Sequence, residues 1–252
     1  MSHQLAYCTV SISPLRSEAS DRSEMVSQLL FGEIVQIDEI QSPWCKISSY
    51  MDNYNGYIDL KHVHFLTEKE VNRWLDGIGI LSDLHCRIQT PWGIQRIFKG
   101  AYIPFESCEA FNIGHHRFEF LDTPSYQRAS NAYDQALNYL NTPYLWGGKT
   151  PYGIDCSGLT QMVFRFHEIN LPRDASQQVD YGQSVSFEEI QTGDLAFFRN
   201  RDGKITHVGI CHENGTIIHA SGWVRIDKLN REGIIHSESG LQTHDLHCIK
   251  RM

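Results

Sequence analysis

Tyr144-Leu145-Trp146-Gly147-Gly148, followed seven residues on by Asp155-Cys156-Ser157-Gly158, is the stretch that decides the fold of this chain. Beyond it Leu159, Met162, Val163, Phe166 and Ile169 fall at i, i+3, i+4, i+7 and i+10, the period of an amphipathic helix. Cys156 therefore caps or opens a helix. There the unpaired backbone N–H groups and the positive dipole end favour a thiolate. Gly147, Gly148 and Gly158 bracket it, and glycines let another backbone come close, as a substrate backbone must. Cys8, Cys45, Cys86, Cys108, Cys211 and Cys248 lie in or beside apolar, strand-like runs and fit the commoner role of a small buried hydrophobe.

A thiol nucleophile needs a base and a third group that fixes the base's tautomer. His207, in Ile205-Thr206-His207-Val208-Gly209-Ile210, is the candidate base, and His219, in Ile217-Ile218-His219-Ala220, the candidate orienter. Glu213-Asn214-Gly215 separates their two strand-like runs. A two-residue Asn-Gly turn would pair His219 with Ile210 and put the imidazoles on opposite faces. A three-residue loop with Gly215 left-handed pairs His219 with Gly209 and puts both histidines on one face, a diagonal of ~7–8 Å apart. The triad reading requires the second geometry. A zinc set of His207, Cys211, His212 and His219 is the competing arrangement. It is disfavoured because Cys211 and His212 point to opposite faces of a strand and no Cys-x-x-Cys pair occurs. His62, His64, His115 and His116 read as scattered surface residues.

Outward from this core, residues 5–66 read as short strands, among them 6–12, 33–40, 44–48 and 56–58, the rhythm of a small all-β barrel. Thr67-Glu68-Lys69-Glu70 starts a connecting helix within 67–82. A second short-stranded stretch covers 83–121. From about 123 the character changes. A helical period spans 129–140, then come the Cys156 helix, a polar loop over 172–178, and strands near 194–198, 206–211, 216–220 and 246–250. Helices first and antiparallel strands after give an α+β domain.

The chain has 252 residues, a net charge of -8 and 41% hydrophobic residues, with no block of Lys or Arg. That excludes the usual electrostatics of nucleic-acid or anionic-membrane partners. Seven cysteines without a paired spacing speak against a disulfide framework and for a reducing compartment. The start lacks the basic and apolar regions of a signal peptide, so the expectation is a cytoplasmic protein.

The strings 144–148, 155–158, 171–177, 193–198, 207–210 and 218–221 resemble the NlpC-type cysteine peptidases of the cell wall, a papain-like fold. Ser23 to Glu33 and Tyr54-Asn55-Gly56-Tyr57 resemble the bacterial SH3-like domains fused to them. The resemblance implies a papain-like α+β catalytic domain (123–252) behind two small SH3-like barrels (1–66, and 67–122 with the linker helix). It is nearest to the γ-D-glutamyl-L-diamino acid endopeptidases. It implies Cys156 as nucleophile, His207 as base and His219 as orienter. Asp155, Ser157 and Ser176 match substrate-binding positions, Tyr54 a tyrosine of the first SH3-like domain, and Glu24 is the candidate for that domain's acidic residue. Asp155 could equally be an N-cap for the Cys156 helix. The implied substrate is a muropeptide such as L-Ala-γ-D-Glu-diaminopimelate, cut by a monomer without metal or organic cofactor. An inactive wall-peptide-binding module and an amidase or acyltransferase on the same fold are the rival readings.

Overall fold

The computed structural model describes residues 4–105 and 109–252; residues 1–3 and 106–108, and with them Cys108, lie outside the described residues. The chain divides into two compact units, Met1–Gln127 and Arg128–Met252.

In the front unit a seven-stranded antiparallel sheet runs in the order Met25–Leu30, Ile12–Arg16, Asn55–Asp59, Trp44–Ser49, Ile34–Gln41, Gln4–Cys8, Val63–Leu66. Alternation sets its core: Cys45, Ile47, Ile58, Val35 and Leu15 point inward and are almost wholly buried. The strand expected over 6–12 is two strands, Gln4–Cys8 and Ile12–Arg16, which pair with different neighbours in the sheet.

The connecting helix is Glu68–Leu75, inside the stretch expected for it. Thr67 and Glu70 form a capping box at its start, with the Thr67 amide donating to Glu70 Oε2 at 2.8 Å. The chain then returns to extended form at Ile78–Ile80, pairing with Tyr102–Pro104. Gly79 allows this, since a Cβ there would sit 3.0 Å from the Tyr126 ring and 3.1 Å from Phe105. A four-stranded sheet follows in the order Gly93–Phe98, His85–Thr90, His116–Phe120, Ala110–Ile113. The helix buries Val71 and Trp74 in one cluster with Tyr7, Phe31, Ile88 and Phe118, residues from both sheets. Trp74 Nε1 also donates to the Gly32 carbonyl at 2.9 Å. The boundary expected at 66/67 therefore runs through a shared core.

The rear unit carries its helices on a seven-stranded antiparallel sheet, in the order Gln183–Val185, Gln242–Arg251, Leu195–Arg199, Ile205–His212, Thr216–Ser221, Trp223–Leu229, Gly233–Ile235. Gln242–Arg251 also pairs with Gly233–Ile235, so the last six strands close on themselves. Helix Ala132–Leu137 is capped by Asn131, and the loop expected over 172–178 contains a helical turn, Ala175–Gln178. Helix Cys156–Arg165 is buried on every side and packs on the two central strands. No helix among the described residues is long and apolar enough to cross a membrane.

Candidate active site

Asp155 is the hub from which Cys156 is placed. Its Oδ1 accepts from the Gly158 amide at 2.7 Å and so caps the helix that Cys156 opens. Its Oδ2 accepts from the Gly147 amide at 2.8 Å, tying the Gly147-Gly148 loop to the helix start. Arg173, 1% exposed, closes a two-pronged ion pair on the same carboxylate at 3.0 and 2.5 Å, and also donates to the Ser157 hydroxyl at 2.9 Å. Ser157 adds a fifth donor to Asp155 at 3.3 Å. Of the two roles open to Asp155, this is the N-cap. Its buried charge is matched by Arg173. Ser157 lies in the same buried network. Ser176 is exposed on the short helix after Arg173.

The bracketing glycines also have an internal purpose. A Cβ on Gly158 would collide with the Gly148 carbonyl, so the chain's own loop makes the close approach expected of a substrate.

The hairpin has the geometry that the triad requires. Gly209 pairs with His219 and His212 with Thr216, leaving the three-residue loop 213–215 with Gly215 at φ 81°. His207 and His219 share a face, and His207 Nε2 lies 2.8 Å from His219 Nδ1. Gly209 opposite is needed, since a Cβ there would stand 2.9 Å from His219 Cβ and 2.7 Å from Ile217 Cδ1.

Sequence reasoning missed the end of this chain of groups. His219 Nε2 lies 3.1 Å from Asp227 Oδ2. Burial opposes ionisation of Asp227, but hydrogen bonds from His219, Ser237 and Arg225 outweigh it and hold the carboxyl well below its usual range. Asp227 can therefore only accept. It accepts a hydrogen bond from His219 Nε2–H, so His219 Nδ1 accepts from His207 Nε2–H and His207 Nδ1 keeps its lone pair. His244 was also missed; its ring stacks on His207 with centroids 4.2 Å apart.

Cys156 is 6% exposed, and its sulfur accepts from the Val208 amide, next to His207, where the two hairpin strands part. Burial, with the Asp155 charge, pushes the thiol up to about 12; the Val208 and Ser157 amides and Arg173 pull the other way without prevailing. Burial, then the neighbouring His219 and His244, pushes His207 well below its ordinary value. Both shifts favour the thiol and the neutral imidazole: desolvation and the Asp155 charge work against the thiolate that the helix end favours. Burial also raises Cys45 and Cys86 to about 11, so position beside a base, not acidity, sets Cys156 apart. The Tyr144 phenol, raised by burial and by the Cys156 and Asp155 charges, stays protonated beside this site.

Glu24 and Tyr54 belong to the front unit. Glu24 is exposed just before the strand Met25–Leu30. Tyr54 is half-buried against the barrel core just before Asn55–Asp59.

A thiol at the mouth of a buried helix, beside an imidazole held by a second imidazole and a carboxylate, defines the papain-like class of cysteine hydrolases. Residues 141–239 match the NlpC/P60 family, and residues 15–63 match the bacterial dipeptidyl-peptidase Sh3 domain. A probable endopeptidase of Corynebacterium glutamicum is 35% identical over 151 residues, 57% of this chain and 69% of that protein. The γ-D-glutamyl-L-lysine dipeptidyl-peptidase of Bacillus cereus is 37% identical over 111 residues, 42% of this chain; the match spans only 33% of that protein. Dipeptidyl-peptidase 6 of Lysinibacillus sphaericus is 26% identical over 241 residues, 82% of this chain and 84% of that one. The crystal structure of an NlpC/P60 family protein from Bacillus cereus superposes with a TM-score of 0.78 at 19% identity, over 98% of this chain and 99% of that one. The chain belongs to the NlpC/P60 family and carries a bacterial dipeptidyl-peptidase SH3 domain ahead of the catalytic fold.

Proposed function

We propose that this protein is a cysteine endopeptidase that hydrolyses the γ-D-glutamyl–diamino acid bond of peptidoglycan stem peptides with a free N-terminal L-Ala. It acts as a cytoplasmic monomer on released wall fragments, in recycling. The observation that carries the catalytic part is the relay of Asp227, His219 and His207, at 3.1 and 2.8 Å, beside Cys156. The bond specificity is supported by the front-domain match and by the names of the two dipeptidyl-peptidases.

In this reading His207 Nδ1 takes the Cys156 proton as sulfur attacks the γ-glutamyl carbonyl. The Cys156 amide at the helix start and the Tyr144 phenol donate to the oxyanion. His207 then returns the proton to the departing amine, and the thioester is hydrolysed by water that His207 deprotonates. Ser157 and Ser176 line the substrate end of the cleft, and Asp155 holds the loop and helix that shape it. Tyr54 and Glu24 read the substrate's free amine; that assignment rests on the resemblance.

The test is incubation with L-Ala-γ-D-Glu-diaminopimelate and mass spectrometry of the products. L-Ala-D-Glu and free diaminopimelate are expected, and intact substrate overturns the bond assignment. Acetylating the substrate's amine removes a charged hydrogen bond and leaves its partner unpaired, which lowers kcat/KM on the order of 10²-fold. Tyr54→Ala weakens binding in the same direction. Equal rates for the two substrates would refute amine recognition while leaving cleavage intact.

A further inference from the structure

The front unit brings together three histidines that the sequence scatters, which corrects their reading as isolated surface residues. His64 lies on the strand Val63–Leu66. His115 occupies the turn after Gly114, whose φ is 60°, and His116 opens the strand His116–Phe120. One potential ligand nitrogen from each lies within 4.8 Å of the other two. The ring centroids are 4.2 Å apart for His64–His116 and His115–His116, and 4.8 Å for His64–His115.

We propose that His64, His115 and His116 bind a divalent transition-metal ion of the zinc type, tying the strand Val63–Leu66 of the first sheet to the Ala110–Phe120 hairpin of the second. A tetrahedral site with ~2.0–2.1 Å metal–nitrogen bonds places its ligand atoms about 3.3 Å apart. Small rotations of three side chains reach that spacing, and His115, exposed in a turn, is free to make the largest.

The surroundings supply what a histidine site needs beyond its ligands. The Tyr7 hydroxyl lies 2.7 Å from His116 Nδ1. Either group can donate in this contact; metal binding selects the tautomer in which His116 Nδ1–H donates to Tyr7 and the Nε2 lone pair is left for the metal. Tyr7 is wholly buried, so this partner is rigid. Trp92 and Phe118 stand edge-on to His116, at 5.3 and 6.4 Å, and wall one side. Glu70 adds negative charge nearby. Its Oε2 is held by Thr67, and its Oε1 is directed toward Gly114, the neighbour of His115. Three protein ligands leave the fourth position to water, as an open zinc site does. The inference is independent of the peptidase reading, because every residue in it belongs to the front unit.

The experiment is titration of the untagged, full-length chain with ZnCl₂ by calorimetry, and with CoCl₂ by visible absorption. One equivalent should bind with the absorption of four-coordinate cobalt. Zinc in hundredfold excess over Kd should raise the unfolding midpoint of the front unit by roughly 5–10 °C. His115→Gln alters an exposed turn residue and leaves the fold intact. It should weaken binding by at least the ~100-fold that loss of an outer-shell partner can reach, and Tyr7→Phe by ~10–100-fold. His64→Gln should match His115→Gln. Binding that is absent from the native chain, or undiminished in His115→Gln, overturns the proposal. So does binding that disappears in Cys156→Ala or His207→Ala, since the metal would then sit in the rear unit.

Discussion

Each unit gathers histidines, and the two clusters are built for opposite purposes. In the rear unit His207 and His219 are buried, and their nitrogens meet in pairs along a line that ends on the charged Asp227. Each proton has one donor and one acceptor, so the cluster fixes which His207 nitrogen keeps its lone pair. In the front unit one nitrogen of each of three rings lies within 4.8 Å of the other two, one ring is exposed, and the hydrogen bond of His116 Nδ1 goes to Tyr7 rather than to another ring. A relay uses its lone pairs internally; a ligand set leaves them aimed at a shared space. The same residue type thus separates into two chemistries by what its second nitrogen touches.

The largest effect that tests this contrast is loss of the nucleophile. Cys156→Ala should abolish hydrolysis, because no other thiol among the described residues adjoins the relay, and should leave front-unit zinc binding unchanged. Substantial turnover by the purified variant would remove Cys156 from its role.

Next is Asp227→Asn. The amide can donate where the carboxylate could only accept, so the tautomers of His219 and His207 lose their fixed direction. A fall of ~10³–10⁴ in kcat with little change in KM is expected, the scale of losing the acid of a triad. Arg225, whose guanidinium lies 2.9 Å from Asp227 Oδ2, would also lose its partner, at about 3 kcal/mol of stability or more. A KM effect without a kcat effect would mean that Asp227 only supports the fold.

A smaller effect is expected at the hairpin. Gly209→Ala drives a methyl into Ile217 and His219, and the strand must shift. Overpacking of this kind costs about 1–3 kcal/mol. kcat should fall ~10-fold or more as His219 moves off its 2.8 Å contact. An unchanged kcat would show that the register does not hold the relay.

The parts of this architecture set by local rules were legible in the sequence. The period of Leu159, Met162 and Val163 marked the Cys156 helix, while Asn214-Gly215 marked the hairpin but left two registers open, between which the Gly209–His219 pairing decides. Asp227 was hidden because its strand inverts the usual pattern: Arg225 and Asp227 point inward while Ile226 is 37% exposed. Alternation read by hydrophobicity puts that strand on the wrong face. Its signal was a charged pair at i and i+2 within an apolar run. The Asp155–Arg173 pair joins a helix start to a separate loop, and the front cluster joins a strand to a hairpin some fifty residues away. No local spacing encodes such meetings. The shared front-unit core was missed for the same reason: Trp74 reads as one residue of a linker until Gly32 and Phe111 are found against it.

The smallest effect concerns acid. The rear relay requires histidines that fold neutral. Burial, then His219, pushes His244 to about 4, and burial pushes His207 well below its ordinary value. Above pH 6.5 these rings are neutral in both folded and unfolded chains, and stability is at its full value. As pH falls below 6.5 the unfolded chain takes up protons that the folded one refuses. Stability then drops by about 1.4 kcal/mol per pH unit per ring, until the folded-state values are reached. Asp227 does not enter this window, because its stabilisation is lost only below the unfolded carboxyl value near 3.8. Between pH 6.5 and 5 His244 alone should account for about 2 kcal/mol. In the front cluster His64 and His116 are also lowered, first by burial, but they are partly exposed and their share should be smaller. His244→Phe keeps an aromatic ring over His207 and cannot titrate. Denaturation followed by hydrogen exchange of the Ile205–His212 amides, from pH 7 to 5, reads the rear unit alone. The variant should lose stability less steeply than the native chain, by close to one proton. Parallel pH profiles for the two proteins would mean that His244 titrates normally in the folded state, and that the rear cluster is as open to water as the front one.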